Sequence, residues 1–188
     1  DTSGLMVVAK TLAAQTELVR QLQARTVRRH YRALVQGELT AGGTVDAPIG
    51  RHPTQRTRMA VVGNGRPAVT HYLVTERFSR VTLVECRLET GRTHQIRVHM
   101  QSLGHPVFND ERYGGDRIMR GTVYTKYKQF VDNLFDGFPR HALHAKTLGI
   151  VHPTSGERME FDSPLPVEFE TILTKWRNYV SNQKQLIS

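Results

Sequence analysis

Two periodicities meet at Gly91, and that junction constrains the fold more than any other stretch. Over residues 81–89, Val84, Cys86 and Leu88 alternate with Glu85, Arg87 and Glu89, the pattern of a strand with one buried and one wet face. Beyond Gly91 the spacing changes. Thr93 is a suitable N-cap, and Ile96, Met100 and Leu103 recur at i, i+4 and i+7. A strand therefore ends at a glycine turn and feeds a helix that stops near Gly104, with Pro106 beyond it. A second face of this helix carries His94, Arg97 and Gln101. Its first turn also presents unpaired backbone N–H groups, a combination suited to anchoring an anion. On spacing alone, a solvated basic helix face is the plainer reading.

The rest of the chain supplies more strands than helices. Residues 5–9 are continuously apolar and read as a buried strand. Residues 10–25 read as a helix with Leu12, Leu18, Val19 and Leu22 as its apolar stripe. Residues 26–30 are a basic connector and residues 31–37 a second strand, opened by Tyr31. A strand tyrosine is usually structural, but this one directly follows a cluster of cations. Gly42, Gly43 and Pro48 make the next stretch turn-rich. Residues 51–58 are cationic: they suit a solvated hairpin tip and, with Arg51, Arg56 and Arg58, also phosphate contacts. Residues 69–78 join residues 81–89 as β-rich runs. Residues 107–115 form a turn-rich loop around Asn109-Asp110. Residues 116–139 are the least regular stretch. Tyr124-Thr125-Lys126-Tyr127-Lys128 mixes rings and cations that suit base stacking, and a surface insertion is the plainer reading. Residues 142–152 and 158–162 form a hairpin, and residues 167–179 an amphipathic helix with Phe169, Ile172, Leu173 and Trp176 on one side. The sum is one α+β domain, a mixed and mostly antiparallel sheet with packed helices.

Charge narrows the partner. Lys and Arg number 26 against 17 Asp and Glu, a formal net charge of +9 that favours a polyanion. The single cysteine, Cys86, excludes an internal disulfide framework and gives no metal cluster; its place in an alternating run makes it a small buried hydrophobe. No apolar run is long enough to span a bilayer and no signal peptide is visible, so the expectation is a cytoplasmic chain without a membrane partner.

Several ordered motifs together resemble the RluA family of RNA pseudouridine synthases over nearly the whole chain. They are Asp1-Thr2-Ser3-Gly4-Leu5, Tyr31-Arg32-Ala33-Leu34-Val35-Gln36-Gly37, Arg66-Pro67-Ala68-Val69-Thr70-His71-Tyr72 and Thr90-Gly91-Arg92-Thr93-His94-Gln95-Ile96-Arg97-Val98-His99. Gly104-His105-Pro106, Tyr113-Gly114-Gly115 and Ala142-Leu143-His144-Ala145 agree as well. Thr44-Val45-Asp46-Ala47-Pro48-Ile49 and Arg51-His52-Pro53 look most like members that act on large-subunit ribosomal RNA.

The resemblance implies the chemistry. Such enzymes cleave the glycosidic bond of a uridine in RNA, turn the base and rejoin it through C5, with no metal and no cofactor. The uridine must leave its stack to be reached. The nucleophile is an Asp in a His-Arg-Leu-Asp motif, and it must stay ionised. Arg97 matches the family Arg that pairs with that Asp, and Tyr31 matches the active-site Tyr suited to the C5 proton transfer. RNA is the implied partner of a monomer, with Arg51, Arg56, Arg58, Arg92 and His94 as candidate RNA contacts. Arg97→Ala is expected to lose most activity while folding normally.

The chain departs from the family pattern in two places. The family nucleophile stands two positions ahead of the residue matched by Asp1, so it is expected upstream of this chain. The Arg beside it and a small S4-type RNA-binding domain are expected there too, and this stretch alone is expected to be inactive. Asp1 is not assigned as catalytic. Asn109 stands where a Gly is expected, which leaves the conformation of that loop open. A competing reading is a non-catalytic RNA-binding module of the same fold. A basic nuclease or other hydrolase would need clustered carboxylates or metal ligands, and the histidines lack that spacing.

Overall fold

A computed structural model describes residues 1–119 and 125–185. In chain order the elements are β1 (Ser3–Gly4), α1 (Leu12–Gln23), β2 (Arg28–Gln36), β3 (Gly43–Asp46), β4 (Ile49–Arg51), β5 (Met59–Val61), β6 (Val69–Arg77) and β7 (Val81–Leu88). They continue with α2 (Gln95–Ser102), a short 3-10 turn (Glu111–Tyr113), α3 (Thr125–Asp136), β8 (Leu143–Val151), β9 (Arg158–Asp162) and α4 (Val167–Gln185). Seven strands form the main sheet, in the order β1-β8-β2-β7-β6-β3, with β9 also paired to β8. Among the described residues only the β1–β8 pair of this sheet is parallel. Strands β4 and β5 make a separate hairpin. The fold is α+β, as the sequence patterns indicate.

The centre of the sheet is apolar on both sides. Ala33, Leu34 and Val35 of β2 are fully buried, and so are Val81 to Val84 of β7; the in-out alternation of β7 begins only at Glu85. Cys86 is fully buried, and burial pushes its thiol up to about 12. Helix α4 buries Phe169, Ile172, Leu173 and Trp176, a spacing of i, i+3, i+4 and i+7. They join Tyr127, Val131 and Leu134 of α3 in the main core, where Phe130 meets Trp176 edge-on at 5.0 Å.

That packing overturns the surface-insertion reading of residues 116–139, because α3 within them closes the core. Tyr127 packs on Trp176 and Tyr179 and is not free to stack on a base; Tyr124 lies outside the described residues. Residues 5–9 are not a strand either. Beyond Gly4 the edge of β8 is occupied by β9, which pairs Thr147 to Val151 with Asp162 to Arg158. With no edge left, Met6 and Val8 stay exposed, and Leu5 and Ala9 pack on a small cluster of Leu18, Val27, Leu148 and Ile150. In α1 only Leu18 of the anticipated stripe is buried; Leu12, Val19 and Leu22 are exposed. Gln21 is buried beside Leu18 because its amide satisfies both backbone groups of Val151. The basic connector at 26–30 is mostly strand: β2 starts at Arg28.

Candidate active site

The turn between β7 and α2 is built around one buried side chain. Gln95 accepts the Arg92 N–H at 3.0 Å and the Thr90 hydroxyl at 2.8 Å. Its amide donates to the Val69 carbonyl and to Thr70 Oγ1, both at 3.0 Å. Gln95 thus ties the helix start to β6. Thr93 is not the N-cap; His94 holds that position in the left-handed region, φ 56°, with no side-chain cap. One turn on, His99 is fully buried, with Nε2 donating to the Ala47 carbonyl at 2.9 Å. Its Nδ1 therefore accepts the Thr70 hydroxyl at 2.8 Å, and burial holds the ring neutral. The far end closes as a Schellman motif: Gly104 N–H to Gln101 O and His105 N–H to Met100 O, with Gly104 at φ 80°.

This anchored helix projects His94 and Arg97 into a polar cleft of about 340 Å³, lined also by Asp1, Asp110, Arg112 and His141. Arg97 grips Asp110 with both arms, Nε to Oδ2 at 2.7 Å and Nη2 to Oδ1 at 2.8 Å. Its guanidinium lies over the Tyr113 ring, 4.8 Å from the centroid. Asp110 is 1 % exposed and also caps the 3-10 turn through the Tyr113 N–H. The family resemblance implies a pairing of Arg97 with an Asp expected upstream of Asp1; among the described residues its partner is Asp110, read from sequence as turn chemistry only.

Burial and neighbouring cations lower the pKa of both cleft histidines. Tyr113 Oη accepts the Met59 N–H at 3.1 Å and meets His94 Nδ1 at 2.8 Å. Burial, then the charges of Arg97 and Arg112, lower the His94 pKa. His141, buried and bonded through Nε2 to Thr2 Oγ1 at 2.9 Å, is pushed down to about 4 by burial and by Arg97.

Strand β1 brings the start of the chain to this place. Ser3 Oγ meets His144 Nδ1 at 2.9 Å, and Gly4 pairs with Ala145. Gly4 sits at φ 97° so close to β8 that a Cβ would come within 2.2 Å of the Ala145 carbonyl oxygen. Ala145 pairs on its other side with Tyr31, so only β8 separates Tyr31 from β1. It is not among the side chains lining the cleft. Burial raises the Tyr31 pKa, and the charge of Arg29 opposes that rise.

The remaining candidates divide between two places. Arg51, Arg56 and Arg58 lie at the β4–β5 hairpin, whose tip is solvated, with Arg51 Nη1 holding the Arg56 carbonyl at 3.0 Å. Arg112 of the cleft holds the Thr57 carbonyl at 3.2 Å, so this hairpin hangs beside the cleft. Arg92 lines a second pocket with Arg25, Arg29 and Arg66. Asp110, Arg112, Tyr113 and His141 were not named as site residues from the sequence; the first three share the segment around the 3-10 turn, His141 stands just before β8, and only folding joins them to Arg97. Asn109, in place of the expected Gly, does adopt the glycine-like conformation, φ 58°.

Residues 1–102 match the family model described as RNA pseudouridylate synthase. The chain is similar to the ribosomal large subunit pseudouridine synthase D of Nitrosomonas europaea, 53% identical over 95% of this chain and 49% of that protein. The protein of the same name from Pseudomonas aeruginosa is 53% identical over 94% of this chain and 54% of its own length. The chain spans about half the length of the curated relatives it matches. Among solved structures, human RNA pseudouridylate synthase domain containing 1 aligns with a TM-score of 0.65 and 32% identity, covering 85% of this chain and 63% of that one.

Proposed function

The chain belongs to the RNA pseudouridylate synthase family, and on that footing we propose that it is the catalytic part of an isomerase that converts uridines of large-subunit ribosomal RNA to pseudouridine in the cytoplasm. The observation that carries the reading is the clamped guanidinium of Arg97. It stands in a polar cleft with its direction fixed by Asp110 and Tyr113, and such a preset charge stabilises a carboxylate in its ionised form.

In this reading the nucleophile is an Asp two positions ahead of Asp1, which itself lines the cleft. Two residues of chain span at most about 7 Å, so that carboxylate stays within reach of the cleft. The reaction is balanced within one nucleotide: the C1′–N1 bond breaks, a C1′–C5 bond forms, and the C5 proton is lost as N1 gains one. Tyr31, which does not itself line the cleft but is the residue the family resemblance places at the active site, is the group proposed to move the C5 proton. The neutral His94 and Arg112 line the cleft beside the flipped uridine. Arg51, Arg56 and Arg58 on the neighbouring hairpin are proposed to hold phosphates of the flanking RNA, and the protein is proposed to work as a monomer.

The test is pseudouridine formation on large-subunit ribosomal RNA by this chain beside a version extended upstream through the proposed Asp. Activity in the extended form alone is the expected result. Activity in both would move the nucleophile to Asp1. Activity in neither would sink the reading.

A further inference from the structure

A second concavity, of about 400 Å³, takes in Gly91 and Arg92 of the turn and shares no lining residue with the cleft. Arg25, Arg29, Arg66 and Arg92 line it with Glu89 and Gly91. Four guanidinium groups face one carboxylate, and that carboxylate is already engaged, by Arg25 at 2.7 Å and by His71 at 2.5 Å. Repulsion is felt at Arg92: burial first, then the charges of Arg66 and Arg25, pull its pKa down.

Arg29 is the member that most needs an explanation. It stands on β2 two residues before Tyr31, and its Nε is buried with no hydrogen-bond partner among the described residues. Burying a cationic donor without a partner is costly, and nothing in the core gains from it. The guanidinium is instead laid against the turn: a Cβ on Gly91 would come within 2.3 Å of Arg29 Nη1. Arg92 is steadied from behind, its Nε donating to the Pro67 carbonyl at 2.9 Å. Four arginines lining one concavity whose single carboxylate is already paired fit an oxyanion.

We propose that the pocket formed by Arg25, Arg29, Arg66 and Arg92 seats a backbone phosphate of the RNA substrate and so sets the register of the strand that feeds the cleft. The proposal rests on the RNA-modifying reading above. Arg92 in this pocket and His94 in the cleft are two residues apart, no more than about 7 Å along the chain. One strand crossing the turn therefore meets both. Glu89 holds Arg25 at the rim and leaves the other three arginines for the anion.

The experiment is a set of binding titrations with a labelled large-subunit ribosomal RNA fragment over a range of salt concentrations, run on the wild type and on Arg29→Gln, Arg66→Gln, Arg92→Gln and Arg158→Gln. Arg29→Gln and Arg92→Gln are each expected to weaken binding about 10-fold at low salt. Each should also flatten the slope of log affinity against log salt by about 0.7–0.9, one phosphate contact. Arg66 is exposed, so Arg66→Gln tests the same pocket without touching packing and should flatten the slope in the same direction. Arg158→Gln, on β9, should leave affinity and slope unchanged. Wild-type slopes in both Arg29→Gln and Arg66→Gln would overturn the proposal. Pseudouridine formation by the upstream-extended protein, scored on the same RNA, separates the two readings. Turnover with unaltered slopes sinks the pocket alone. Pocket-dependent slopes without turnover sink the isomerase reading and leave the phosphate seat standing.

Discussion

Arg97 and Arg29 flank the same turn, and their surroundings are opposite. Arg97 is saturated: two bonds to a buried carboxylate below and a tyrosine ring against its plane. Arg29 is unsaturated, its Nε buried without a partner among the described residues and its Nη1 lying against Gly91. A saturated arginine has its direction fixed before any ligand arrives, which suits a group whose charge must sit correctly in a reaction. An unsaturated one keeps its donors for the ligand and lowers its own burial cost only on binding. Position in sequence does not distinguish them, since each belongs to a basic motif. Their partners do.

The largest effects lie on the saturated side. Each of Arg97 and Asp110 is mostly buried, at 11% and 1% side-chain exposure. Removing either leaves the other as an uncompensated charge, a loss of about 3–5 kcal/mol. Arg97→Ala is therefore expected to lose stability as well as activity, unlike the sequence-based expectation that it folds normally. Urea unfolding of Arg97→Ala, Asp110→Ala and the double variant checks this. The double variant should be markedly more stable than the sum of the two losses predicts, and strict additivity would break the picture of a closed pair. Arg97→Lys keeps the charge but not the fork; it should recover part of the stability and little of the turnover.

Below that in effect is acid sensitivity of the cleft. The His141 pKa is about 4 when folded, against about 6.5 for an unperturbed histidine. Between those values the unfolded chain binds the extra proton, so stability rises with pH there and is lost as pH falls from about 6.5 through 4. His141→Gln should flatten that part of a stability-against-pH curve. An unchanged profile would mean that the ring is not held neutral against Arg97. A smaller loss is expected at Asn109, whose side chain donates to the carbonyls of Phe135 and Phe138 while the backbone stays at φ 58°. Asn109→Ala should cost about 1–2 kcal/mol and Asn109→Gly less, since glycine restores the backbone and loses only the tether.

The contrast also shows what the sequence could carry. The runs that became β6 and β7, the β8–β9 hairpin and the buried face of α4 were legible because local alternation or helical spacing coincided with burial. Residues 5–9 looked equally strand-like, but strand formation needs an edge, and β9 takes it. Residues 116–139 looked irregular because the partner of Phe130 and Tyr127 is Trp176, dozens of residues away. In the site, Arg97 and His94 were legible as one helical face. Asp110 was not, since a buried carboxylate and a turn carboxylate look alike in sequence. Arg29 was absorbed into a basic connector; only the folded chain shows that its Nε is buried without a partner among the described residues.

The smallest change in stability, and the sharpest break between the two arginines, is expected from Gly91→Ala. Gly91 is not in the left-handed region, so alanine meets no backbone strain. The added methyl meets Arg29 Nη1 at 2.3 Å, and that atom is the free end of a long side chain that can swing away. Stability should change by no more than about 0.5 kcal/mol. The Arg29 guanidinium would be displaced from its seat while the Arg97–Asp110 pair, which lines the cleft, stays as it is. RNA affinity should fall several-fold, with a flatter salt slope, and turnover of the upstream-extended protein at saturating RNA should remain. If affinity and slope are those of the wild type, the seat on Gly91 has no part in holding RNA, and the two arginines differ in packing alone.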